Sequence, residues 1–149
     1  MKKGFVLLML SVIGLIGFNQ TVKAQTVITW EVLKDIEFQE VWSEEFNAVY
    51  MVPKFGSKVK SLDGKKVQIR GYVIPVDVLA DYYVLSANPY SSCFFCGQAG
   101  PESVMEIQLA KQYDGLRMDQ IITVQGRLRL NADDILQLTY ILEDAEVIE

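Results

Sequence analysis

Two stretches of alternating polar and apolar residues, each broken by one internal glycine, constrain this chain most. Lys65–Val73 reads K-K-V-Q-I-R-G-Y-V, and Ile121–Leu130 reads I-I-T-V-Q-G-R-L-R-L. In the first, Val67, Ile69 and Val73 share one face, while Gln68 and Arg70 share the other. Successive side chains of an extended chain point to opposite sides, so a period of two predicts a half-buried strand. Glycine inside such a strand marks a bulge or a tight bend. Strands that bend at Gly71 and Gly126 suit a sheet that curls onto itself.

Three more extended stretches complete a set. Asp81–Ala87 is stopped by Asn88-Pro89, Ser103–Leu109 alternates again, and Leu136–Ile148 follows the turn Asn131-Ala132-Asp133-Asp134. Asp63-Gly64 is a turn signal ahead of the first. Lys111–Gln120 is long enough for one or two helical turns, weakened by Gly115, and Phe55, Val59 and Leu62 at i, i+4 and i+7 predict a short amphipathic helix. Between residues 29 and 52, Trp30 and Leu33 read as helical, and Ile36, Phe38 and the Ala48–Val52 run as extended. Trp30 and Trp42 are expected in the core. The expected fold is mainly β, a five-stranded OB-fold-like Greek-key barrel with one or two short helices. Immunoglobulin-like sandwiches need more strands and no helix.

The first residues read as an address. Lys2 and Lys3 precede an apolar run, Phe5 to Phe18, and Val22-Lys23-Ala24 offers a cut before Gln25. At about 14 residues the run is short of the roughly 20 that cross a bilayer, so a cleaved signal peptide is expected rather than an anchor. The expected organisation is a signal peptide over 1–24, an extension over 25–61 packing on the barrel, and the barrel over 62–149. The mature chain is expected outside the cytoplasm, in the periplasm or the extracellular space, with no stable membrane insertion.

Losing Lys2, Lys3 and Lys23 leaves 11 basic residues against 19 acidic ones, and moves the net charge from −5 to −8. So acidic a chain repels phosphate backbones, and nucleic acid is not an expected partner. Lys65, Lys66, Arg70, Arg127 and Arg129 read as solvated strand faces. Glu143, Asp144 and Glu146 could surround a cation, but adjacent residues of a strand face opposite ways, so a solvated edge is expected.

Cys93 and Cys96 are the only cysteines, and there is no histidine. That removes Cys–His and Ser–His nucleophile pairs, histidine acid–base chemistry and His-ligated catalytic zinc. Three readings of the pair stay open. An exported chain favours a disulfide, which closes so small a ring that it staples one loop. Two thiolates are half of a tetrahedral zinc site, which Glu102 could extend, and Cu(I) accepts two thiolates alone. The third is a thiol–disulfide redox pair, with Cys93 as nucleophile and Cys96 as resolving thiol. A reactive Cys-x-x-Cys opens a helix whose N-terminus lowers the thiol pKa, and Gly97, Gly100 and Pro101 disfavour one here.

Leu62-Asp63-Gly64-Lys65-Lys66-Val67, then Ile69-Arg70-Gly71-Tyr72-x-x-Pro75, then Pro89-Tyr90-x-x-Cys93 resembles a family of small exported bacterial proteins known as a domain of unknown function. The resemblance covers roughly residues 30 to 110. In that family the cysteine is followed two places on by a histidine and then by prolines. Here Phe95 stands in the histidine's place, and Cys96 and Gly97-Gln98-Ala99-Gly100-Pro101 follow. A metal role for the family's Cys-x-His therefore does not transfer. The resemblance implies location and fold rather than chemistry.

The Cys93–Pro101 loop is the candidate site. Tyr90, Phe94 and Phe95, with Gly97, Gly100 and Pro101, offer an adaptable aromatic surface, to which Tyr82 and Tyr83 could add. Such aromatics more often serve as core or loop anchors. The expected function is a non-catalytic binding module whose loop meets a small ligand, a metal or an exported partner protein. The alternative is the redox protein.

Overall fold

The computed structural model describes residues 26–44 and 47–149. The expected leader over 1–24 and its cut before Gln25 lie outside them. In chain order the elements are β1 (Thr26–Val27), α1 (Trp30–Leu33), β2 (Ile36–Ser43), β3 (Ala48–Phe55) and α2 (Ser57–Lys60). The barrel strands then follow: β4 (Lys66–Asp77), β5 (Tyr82–Ser86), β6 (Val104–Leu109), β7 (Ile121–Leu130) and β8 (Tyr140–Val147).

Strands β4–β8 close on themselves in the order β4-β5-β6-β8-β7, with β7 returning to β4. Neighbours are antiparallel except β6 and β8, which run parallel. The expected five-stranded barrel with few helices is the observed fold. Closure works because β4 is long enough to serve two partners: Lys66–Tyr72 pairs with β7, and Tyr72–Asp77 pairs with β5.

Gly71 sits at that changeover. A Cβ there would stand 2.6 Å from the Ser86 carbonyl oxygen and 2.8 Å from Leu85 Cγ. Gly126 has the same problem against β8, with Glu143 O and Leu142 Cγ both 2.7 Å away. Both glycines exist to let a backbone approach, as expected of a barrel corner. The kink beside Gly126 belongs to β8, whose Asp144 takes a left-handed φ of 50° where the register with β7 shifts. That bulge overturns the expectation that Glu143 and Asp144 face apart. Both meet Arg127, Glu143 through Nε at 3.0 Å and Asp144 through Nη2 at 3.1 Å. Glu143 also pairs with Arg129 at 2.7 Å, so these arginines are tied to their own sheet.

The inward faces of the barrel strands make the core, from Val67 and Ile69 through Leu85, Ile107 and Val124 to Leu128 and Leu142. Each such side chain taken out of water contributes about 1.5–3 kcal/mol. Leu33 of α1, and Val59 of α2 with the following Leu62, join that core. Tyr140 is buried beside them, and its hydroxyl donates to the Leu33 carbonyl at 2.6 Å. Burial pushes its pKa well above the usual tyrosine value.

Some expectations need correction. Lys111–Gln120 is a turn-rich connection, not a helix: Gly115 (φ 87°) and Asp119 (φ 61°) take left-handed backbone. Tyr113 there uses its hydroxyl to accept from the Val147 amide at 3.1 Å, so it anchors by a backbone contact rather than by a helical stripe. Phe55 ends β3 rather than joining α2, and packs on Tyr140 with ring centroids 6.0 Å apart. The last strand starts at Tyr140, not Leu136. Before it, Asn131 holds the connection by donating to the carbonyls of Asp134, Gln137 and Leu138. The helical reading of Trp30 and Leu33 and the extended reading of Ile36, Phe38 and Ala48–Val52 match α1, β2 and β3. Trp30 is half-buried and donates to the Arg70 carbonyl at 2.8 Å, but Trp42 is 56% exposed and is no core residue.

Candidate functional site

The β5–β6 connection leaves the sheet at a defined neck. Ser86 and Val104 are its last strand pair, and the Ala87 amide donates to the Ser103 carbonyl at 2.9 Å. Between them the chain makes three 3₁₀ turns, Tyr90–Ser92, Phe94–Cys96 and Pro101–Ser103. Proline, serine and glycine punctuation favours this over a helix. Gly97 ends the second turn in the left-handed region, φ 71°. Its missing Cβ has open space around it, so only backbone conformation requires glycine there. At Gly100 the requirement is room, because the Glu102 carboxylate folds back over it.

Cys93 is fully buried in a small second core with Ile74, Val84 and Val104, against which Tyr82, Phe94 and Leu138 pack. These strand residues alternate with Val73, Leu85 and Met105 of the main core, so the cluster lies on the outside of the barrel wall. Cys96 lies at the surface. Its thiol donates to the Tyr90 carbonyl at 2.9 Å, and Cys93 is near enough to share a hydrogen bond with it. Partial desolvation and then the neighbouring Cys93 thiol push the Cys96 pKa up. The structure holds the two side by side without a bond between them.

Glu102 turns away from them to a hollow beside Trp30, Lys34 and Asn88. Cys93, Cys96 and Glu102 are therefore not brought together, and among the described residues no three Cys, Asp or Glu side chains are placed to hold a metal.

The loop divides its aromatics by role. Phe94 is half-buried, with its ring edge-on to Phe95 at 5.6 Å, while Tyr90 and Phe95 remain 43% and 46% exposed. Tyr83 points into the main core and Tyr82 covers the second, so neither joins an outer platform. Sequence reasoning missed Asp119, whose Oδ1 accepts the Tyr90 amide at 2.6 Å. Its own backbone is pinned to β4, since the Asp119 amide donates to the Val73 carbonyl at 2.9 Å. Met118 and Ile121 flank it with large exposed apolar side chains. An aspartate four residues past Gly115, in a stretch without apolar periodicity, was the available signal.

A second feature missed in the sequence is a groove of about 220 Å³ between the β2–β3 hairpin and the β7–β8 connection. Tyr50, Met51 and Pro53 line one wall, and Asp134 and Ile135 the other. Pro101, from the end of the cysteine loop, also reaches it.

The fold has a counterpart among solved structures. A DUF3299 family protein from Pseudomonas aeruginosa PAO1 is similar over 85% of this chain and 97% of that one, with a TM-score of 0.52 at 16% identity. Neither a protein-family model nor a curated protein matches the chain. The likeness establishes a shared architecture with a protein of an uncharacterised domain family.

Proposed function

We propose that this chain is a small exported, non-catalytic binding module of OB-fold-like build. It meets a partner protein through the rim formed by Tyr90 and Phe95, with Met118 and Ile121 beside it. The observation that carries the reading is how the loop is built. Cys93 is sunk in the second core, Tyr90 is tied to Asp119, and the neck is a strand pair, so two large aromatics are held out in water. Exposed aromatics on a preorganised backbone lose little entropy on binding, which is what interface anchors require.

Thiol catalysis draws less support from the same geometry. A nucleophilic cysteine has to be reachable and to ionise easily. Cys93 is buried, and the Cys96 thiol is held above its ordinary pKa. In an oxidising compartment the pair would instead close as a local disulfide. Export itself rests on Lys2, Lys3 and the short apolar run before Gln25.

Photo-crosslinking in an exporting host tests the module. A crosslinker at Phe95 should give a discrete adduct that disappears on Tyr90→Ser, while one at Lys60, on α2, should give none. Adducts of equal yield from both positions would overturn the reading. Native mass spectrometry with and without reductant reports on the thiols alongside. A loss of two hydrogens marks the disulfide, and bound zinc or copper removed by Cys93→Ser marks a metal site.

A further inference from the structure

Strands β2 and β3 pair over their whole length, from Ile36↔Phe55 to Ser43↔Ala48. Residues directly opposite in an antiparallel pair share a face, so one face carries Ile36, Phe55, Phe38, Pro53, Glu40, Met51, Trp42 and Val49. Apart from Glu40 it is apolar from root to tip. At the root, Ile36 and Phe55 pack on the main core. Phe38 and Pro53 are half-buried, and at the tip Met51, Trp42 and Val49 are each more than half exposed. An apolar face that runs from the core into water, on a two-stranded sheet, is unusual in a folded chain.

The hairpin has two further properties. The groove is lined by Phe38, Met51 and Pro53 of the apolar face and also by Tyr50, whose side chain leaves the opposite face of β3. It therefore lies against the apolar face and reaches round to the edge of β3, and among the described residues β3 has no strand on that side. The surroundings are also of one sign. Glu40 stands opposite Met51, Asp134 lines the far wall, and Asp133 is exposed beside it. Among the described residues, none of these three is in an ion pair and no Lys or Arg lines the groove.

We infer that the groove along β3 takes an extended peptide segment of another protein, one that alternates apolar side chains with Lys or Arg. Such a segment pairs its backbone with the free edge, buries its apolar side chains against Met51, Tyr50 and Trp42, and brings cations to Glu40 and Asp134. A second copy of this chain fits poorly, since it would set Glu40, Asp133 and Asp134 against the same acids in a molecule of net charge −5. The inference does not depend on the Tyr90–Phe95 rim, none of whose residues lines the groove.

The test uses the chain from Gln25 onward and two fluorescently labelled peptides, one alternating Lys with Val and Phe, the other identical but with Glu for Lys. Anisotropy should show the basic peptide binding and the acidic one not binding, with affinity falling as salt rises. Trp42→Ser and the double variant Glu40→Gln/Asp134→Asn should each weaken binding at least about tenfold. Asp81→Asn/Asp114→Asn, which removes two acids elsewhere, should change it less than about twofold, and Tyr90→Ser should leave it unchanged. Circular dichroism of each variant should match the parent, because Trp42 and the two acids make no buried contact. Equal loss from both acid pairs would show nonspecific charge attraction and overturn the inference. Binding of neither peptide would overturn it too, as would a concentration-dependent dimer abolished by Trp42→Ser, which would assign the face to a second copy.

Discussion

The β2–β3 hairpin and the barrel are built from strands of similar length and similar alternation, yet only one encloses anything. In the barrel, β8 finds β6 on one side and β7 on the other, and its inward residues Tyr140, Leu142 and Ala145 meet side chains from opposite strands. In the hairpin, among the described residues, each strand has one partner, and the apolar face past Phe38 and Pro53 leaves Met51, Trp42 and Val49 more than half exposed. Alternation decides which residues share a side. Closure decides whether that side is worth burying.

The comparison breaks most sharply at single leucines and valines. Leu128→Ala, inside β7, should cost about 2–5 kcal/mol, because a closed wall collapses little around a cavity. Val49→Ala, on the hairpin tip, should change stability by less than about 0.5 kcal/mol. Urea denaturation of both proteins checks the pair, and similar costs would mean that the hairpin is covered in solution.

A smaller effect is expected where strands crowd. Gly71→Val and Gly126→Val should each cost about 1–3 kcal/mol, since the new side chain would overlap backbone carbonyls that cannot move without parting the barrel. Gly64 and Gly97 have open space, so alanine there should cost only about 1 kcal/mol for the left-handed backbone. Thermal midpoints ranked in the other order would remove the barrel-corner explanation.

The smallest effect depends on pH. Tyr140 is neutral in the fold, with its pKa raised by burial. Its contribution is present in full below the unfolded value near 10, and is lost as pH rises from there toward the folded value. Stability should therefore decline above about pH 10, more steeply in the parent than in Tyr140→Phe. That variant should cost about 1 kcal/mol at neutral pH by leaving the Leu33 carbonyl unpaired. Equal alkaline slopes would place the titration elsewhere.

Much of this was legible in the residues. Val67, Ile69, Val124 and Leu128 announce strands because one face is buried and the other wet. Gly71 and Gly126 stood out for the converse reason, a position with no room in a stretch that otherwise prefers bulk. Lys111–Gln120 misled because its length suits a helix, while the left-handed turn at Asp119 leaves no mark in periodicity. The hairpin was obscure because Val41 and Trp42 are consecutive in β2 and β3 is apolar on both faces, which masks the period of two. At the cysteines, spacing located the loop and drew attention to both thiols. It could not tell that one sits among Ile74, Val84 and Val104 from three strands far apart in sequence, and that decides which sulfur is reachable.

The neck of the cysteine loop has an engineering consequence. Ser86 and Val104 face each other as a strand pair, and Ala87 and Ser103 close the gap, so whatever lies between is attached at two points a strand's width apart. Loop-closure entropy grows only as the logarithm of length, so the barrel should accept a replacement insert of quite different size between these posts. The segment should behave as an interchangeable cassette, limited mainly by the need to refill the hole that Cys93 leaves beside Val84. On the proposed binding role, exchanging one insert would change the partner while the frame beneath it is kept.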